Sequence, residues 1–164
     1  MLRRRRGNGL IIKLLTAVVV VGLIILLFLS VRGLLKATNE EEAVQIVEQF
    51  YDFEQEGDFG SSWELFHSLM KERYKKSDYV QTRAHVFMQH FGTNTFQYEM
   101  GESERKFDVQ LVEGTEALKE VYLITVTQIY HSSFGNFKIV QPVYAAEESG
   151  DWRVLWSFSK SEDF

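Results

Sequence analysis

Two serine–lysine tetrads, Ser68-Leu69-Met70-Lys71 and Ser157-Phe158-Ser159-Lys160, have the spacing of an acyl-transfer nucleophile. On a helix the lysine follows one turn after the serine and can take its proton. A complete site of that kind also needs a Lys-Thr-Gly segment, which the sequence lacks, and the second tetrad falls in an alternating, strand-like stretch. No catalytic residue is assigned on these tetrads. The histidines are His67, His85, His90 and His131, and none forms the i, i+3 or i, i+4 pair that a helical metal site uses. His85 and His90 are five apart, on different helix faces, and there is no cysteine to supply a thiolate. Neither a metal nor a cofactor is expected.

General acid–base chemistry remains open. It needs a carboxylate or histidine whose pKa is raised by apolar walls, with a tyrosine to donate to an oxyanion. Asp52, His85 and His90 could supply the first group, and Tyr51, Tyr98, Tyr130 and Tyr144 the second. The pocket or binding candidates are Tyr51, Asp52, His90, Tyr98, Tyr130 and Trp156. Against catalysis, Asp52 reads as solvated and the tyrosines as packing residues with hydroxyls at a rim. Trp152, Val154, Trp156 and Phe158 alternate at period 2, which describes a filled core face rather than an open cavity.

The elements that would hold these residues are legible. Thr38-x-x-Glu41 and Asn39-x-x-Glu42 have capping-box form and open a helix with Ala43, Val47, Phe50 and Phe53 on one stripe. Gly57-Asp58 ends it. Ser61-x-x-Glu64 opens a second helix, with Trp63, Phe66 and Met70, and Asp78-x-x-Gln81 opens a third that closes at Gly92. From Thr93 the period changes to 2: Phe96, Tyr98 and Met100 alternate, as do Phe107, Val109 and Leu111. Glu120–His131 is apolar on both sides and reads as a central strand. Phe137–Ala146 follows, with Pro142 requiring an edge or a bulge because it has no amide donor. The closing strand should place Arg153, Leu155 and Ser157 opposite the tryptophan face. Helices followed by an antiparallel meander give an α+β fold.

Charge divides the chain. Residues 1–39 carry seven cations and no acid, whereas residues 40–164 carry 11 cations and 23 acids, a net −12 within an overall −5. An acidic body of that kind is a poor partner for nucleic acid, so none is expected. Leu14–Val31 is 18 residues without a charge, about 27 Å of helix, which matches a bilayer core. Residues 1–9 read as a cytoplasmic basic tail and 10–35 as a transmembrane helix in contact with lipid. Residues 36–42 read as a short linker and helix cap, and 43–164 as an exported domain. Five cations precede the span and two follow it, which keeps the N-terminus in the cytoplasm. The long apolar run and the poor Leu35-x-Ala37 cleavage signal favour an uncleaved anchor over a signal peptide. Cysteine-free export suits a bacterial cell membrane.

The stretch EEAVQIVEQFYDFEQEGDFGSSWELFH resembles the opening of nuclear transport factor 2-like domains. The end, FGNFKIVQPVYAAEESGDWRVLWSFS, resembles the closing hairpin of the N-terminal domain of methicillin-resistance-type penicillin-binding proteins, although no transpeptidase domain follows. The resemblance covers about residues 43–159. It implies a cone-shaped, bent antiparallel sheet with three N-terminal helices, behind the single transmembrane helix. It also implies a membrane-anchored extracytoplasmic domain that binds a protein partner or acts as a spacer, linked to cell-envelope synthesis. Two alternatives follow from the same resemblance: a bitopic scaffold of a conjugation or type IV secretion system, and a surface-held small-molecule-binding or isomerase-like enzyme. The anchor predicts that alkaline phosphatase fused after Phe164 is active and that intact mass shows an uncleaved chain. An inactive fusion would reverse the topology.

Overall fold

A computed structural model describes residues 8–86, 91–93, 95–133 and 135–158, and among them the chain is α+β. It divides into two compact units, 1–39 and 40–164. In the first, Ile12–Val31 has mean hydropathy 3.1 and none of it is buried, so this one helix is long and apolar enough to cross a membrane. Its large apolar side chains, from Ile12 to Val31, are exposed.

The first helix, α1, runs from Asn8 to Glu56, so no helix starts at the Thr38 and Asn39 capping boxes and residues 36–42 are helical rather than linker. A capping side chain matters only where amides lack a carbonyl four residues back. Nothing between Leu34 and Glu42 breaks the helix to expose such amides. The real end is at Gly57, whose φ of 78° no β-carbon tolerates well. There the amides of Asp58 and Gly57 return to the carbonyls of Phe53 and Glu54, a Schellman closure.

Three short helices follow; two start away from the Ser61 and Asp78 boxes, and one starts where no box was read. Asp58 caps α2 (Phe59–Glu64) by accepting from the Ser61 amide at 3.0 Å, so Ser61 is inside that helix, not at its cap. The imidazole of His67 caps α3 (Ser68–Arg73), accepting from the Leu69 amide at 3.2 Å. Helix α4 (Lys76–His85) begins after Lys75 with no side-chain cap, two residues ahead of Asp78. In place of a transmembrane helix followed by three separate helices, α1 thus runs from the apolar span into the acidic unit and α2, α3 and α4 follow it.

Four antiparallel strands make one sheet in sequence order: β1 (Gln97–Val109), β2 (Leu118–Ser132), β3 (Gly135–Glu148) and β4 (Asp151–Leu155). β2 is interior, as its apolar run requires. The register of β1 slips between Met100 and Ser103. That bulge explains two alternations out of phase: even residues up to Met100, then odd ones, face the same way. β4 pairs only with Tyr144–Glu148, so at Pro142 the outer side of β3 is a free edge and no amide is missed.

One face of the sheet presents Phe96, Tyr98, Tyr122, Ile124, Val126, Tyr130, Val143, Ala145 and Val154 to the helices. Ala43, Val47, Phe50 and Tyr51 come from α1 and Phe66 from the segment after α2. That segment also seals the edge of β4, through His67 N–H to Val154 O at 3.0 Å and Val154 N–H to Leu65 O at 2.9 Å. The closing strand keeps Leu155 opposite the tryptophan face, where it is fully buried, and departs from expectation at Phe158, which leaves that face to bridge with Val112. Both follow from the segment after β1, where Leu111 and Val112 are buried and the Leu111 carbonyl accepts from Phe158 N–H.

Phe66 meets Phe50, Tyr79 and Trp156 at ring-centroid distances of 5.2, 5.1 and 5.1 Å. Phe66→Ala should cost about 3–5 kcal/mol, whereas Val140→Ala, on the open face, should cost under about 0.5 kcal/mol. Denaturant melts of the full chain in micelles, followed by tryptophan fluorescence, compare the two.

Candidate functional site

The stripe that buries Ala43, Val47 and Phe50 continues one turn further to Glu54, which is 1% exposed. Its Oε1 accepts from Ser62 Oγ at 2.5 Å and from Tyr79 Oη at 2.8 Å. Its Oε2 accepts from Arg83 Nε at 2.7 Å and from Nη2 of the same guanidinium. Four donors from α2 and α4 thus occupy both oxygens, which is what a buried carboxylate requires. Burial raises the Tyr79 phenol well above its ordinary value, and the neighbouring Glu54 adds to that. Burial works against the charge on Arg83, but Glu54 and Tyr79 outweigh it and hold the guanidinium above its usual range.

Beside this cluster is a cavity of about 380 Å³, the size of a small-ligand pocket. Phe50 and Tyr51 come from α1, Arg73 to Arg83 from α3, α4 and their junction, Gln141 from β3, and Trp156 from the residue after β4. Tyr51 is 1% exposed and its hydroxyl donates to Gln141 Oε1 at 3.3 Å. Burial pushes that phenol up as well. Trp156 packs against the core on Phe50 and Phe66 and also lines the cavity. It follows the last residue of β4, where the strand pairing that would press it inward has ended. A second hollow of similar volume, around Glu42, Gln49, Asp151 and Arg153, is more open and mainly polar.

Of the expected site residues that are described, Tyr51 is the one that others gather around. Tyr51 and Trp156 share the cavity. Tyr98 packs on Tyr51 at a ring-centroid distance of 5.5 Å, and its hydroxyl donates to Asp52 Oδ1 at 2.5 Å, with Asp52 itself exposed. Burial, then Asp52, raises the Tyr98 phenol. Tyr130 is fully buried, stacked on Phe137 at 4.8 Å, and burial pushes it up to about 12. His90 lies outside the described residues. No protein-family model and no curated protein matches this chain.

His85 and His131 are exposed, and His67 is used as a helix cap. Burial draws the His67 imidazole below its ordinary value, while Glu148 at 3.8 Å pulls the other way. Among the described residues no three histidines, aspartates or glutamates are grouped to hold a metal. In the first serine tetrad, Lys71 donates to the Glu64 carbonyl at 2.9 Å rather than to Ser68. Ser159 and Lys160 of the second lie outside the described residues.

Sequence reasoning passed over Glu54, Ser62, Tyr79 and Arg83. The signal was present for Glu54: 43, 47, 50 and 54 keep helical spacing, so an acid on the apolar stripe needed a partner. Glu54→Gln and Arg83→Met should each cost about 3–5 kcal/mol, because each strands a buried group. The double variant Glu54→Leu/Arg83→Met should cost clearly less than the sum. Additive losses in denaturant melts would show that the two side chains act independently.

Proposed function

We propose that this chain is a single-pass membrane protein whose 40–164 unit works outside the cytoplasm as a binding module for small molecules. The unburied Ile12–Val31 helix, without a charge from Leu14 onward, and the cation asymmetry around that run support the anchor and its orientation. The order of elements, helices and then a meander covered on one face, supports kinship with nuclear transport factor 2-like domains and a cone-shaped sheet.

The observation that favours binding over isomerase-type catalysis is the occupancy of Glu54. A general base must have a lone pair directed at substrate. Both Glu54 oxygens are already engaged by Ser62, Tyr79 and Arg83. The carboxylate that lines the cavity is Asp78, which is exposed in the first turn of α4. What remains is a concave site with an aromatic lining and a few polar groups, which is the form of a ligand pocket.

Fragment screening by saturation-transfer NMR tests this on the full chain in lipid nanodiscs. Hits should be lost in Thr82→Trp, which fills the cavity, and should come back chemically unchanged after hours of incubation. Conversion of any hit would make the domain an enzyme. Hits that survive Thr82→Trp would move the site elsewhere.

A further inference from the structure

Helix α3 ends at Arg73 and Tyr74, which line the cavity, and it is held at both ends. At the cavity end the Trp63 indole N–H donates to the Tyr74 carbonyl at 2.7 Å, and the Tyr74 amide to the Met70 carbonyl at 2.8 Å. At its start the hold is on the β3–β4 hairpin. His67 N–H donates to the Val154 carbonyl at 3.0 Å, and Ser68 N–H to Glu148 Oε2 at 3.2 Å. A helix of six residues does not sustain itself in water, so these contacts decide where α3 sits.

His67 is the side chain in this clamp that titrates near neutral pH. Its Nδ1 accepts from the Leu69 amide at 3.2 Å, which a ring nitrogen can do only without a proton. The Ser68 hydroxyl stands 3.5 Å from the same nitrogen. The proton of the neutral ring is therefore on Nε2, 3.8 Å from Glu148 Oε1. A second proton has to go to Nδ1, against the Leu69 N–H. The hydroxyl can turn its hydrogen away; the amide is fixed by the backbone and cannot. Charged groups face the ring from three elements: Glu148 of β3 and Glu72 of α3 favour the imidazolium, and Arg153 of β4 opposes it. Burial outweighs the two acids and holds the imidazole below its ordinary value.

We propose that His67 is a pH-sensitive latch: a proton taken up at Nδ1 drives the ring off the Leu69 amide, uncaps α3 and loosens the Arg73–Tyr74 wall of the cavity. The latch stands on the contacts of His67, and its consequence for a ligand rests on the small-molecule reading above. The sign follows from the form that the fold uses. The neutral ring makes the contact, so its stabilisation is complete above about pH 6.5 and is lost as pH falls through the lower midpoint of the folded chain. Burial raises the Glu148 carboxyl, but Ser68 and the nearby His67 outweigh that and hold it below its ordinary range. Glu148 therefore stays charged while His67 titrates, and the two events fall in separate pH windows.

NMR of the isotope-labelled full chain in detergent micelles, from about pH 7 to about pH 5, reads the latch directly. The Leu69 amide, corrected for intrinsic exchange, should lose about fivefold of its protection at the His67 ring midpoint, as for a lost N-cap. The Val126 amide, inside β2, should lose none at that step. The Trp63 indole N–H should shift with the same midpoint, because its acceptor is at the far end of α3. His67→Asn, which caps without titrating, should hold both signals constant. Glu148→Gln should lower the His67 midpoint, since it removes a charge that favours the imidazolium. If Leu69 protection does not follow the His67 midpoint, or His67→Asn shows the same loss, there is no latch. If Leu69 responds and Trp63 does not, α3 keeps its place at the cavity and the proposal falls. Neither signal involves a ligand, so these outcomes and those of the fragment screen are independent.

Discussion

Glu54 is the residue on which the helical layer depends. A carboxylate 1% exposed carries a desolvation cost of several kcal/mol unless donors surround it. The donors come from three places in the chain, Ser62 in α2 and Tyr79 and Arg83 in α4, and they must all arrive for any of them to be satisfied. Helices of six and ten residues are too short to hold themselves in water. Their position against the end of α1 is therefore set by this polar cluster and by the aromatic contacts beneath it. A buried network of this sort specifies one arrangement more sharply than apolar packing does, because a slipped helix leaves a charge unpaired.

Around that cluster the aromatic side chains form two groups with different consequences. Phe66, Phe50, Tyr79 and Trp156 pack near the start of the cavity, mostly edge to face. Tyr130, Phe137, Phe96 and Phe91 pack at the other end of the sheet, where the hairpin closes. The hollow is on the side of the first group. There β4 has already ended at Leu155 while β3 continues from Tyr144 back to Gly135 without a neighbour on that edge. A short last strand leaves space that the helices line and do not fill. The aromatic walls of that space are Phe50, Tyr51, Tyr74, Tyr79 and Trp156, with Gln141 contributed by β3.

The sheet's other face shows how little a period-2 pattern says about burial at strand ends. Val140, at 62% exposure, and Leu155, fully buried, both lie on the face turned from the helices. What separates them is the Leu111–Val112 segment, which returns under one end and bridges to Phe158. No local rule at Leu155 contains that contact.

The amino-acid order alone determined the apolar N-terminal span, the change from helical to alternating period at Thr93, the interior position of β2 and the stop at Gly57. Each rests on a property that acts within a few residues: transfer of side chains from water, pleat alternation, backbone freedom at positive φ. Tertiary structure decided where helices begin, since the Thr38 and Asn39 boxes are bypassed when helix continues through them and the imidazole of His67 serves as a cap where no such box was read. It also decided that Glu54 meets Arg83 across 29 positions and that Trp156 borders a cavity. Those pairings depend on distances between segments far apart in the chain, and hydrogen bonds of that separation form only once loop closure has brought the segments together.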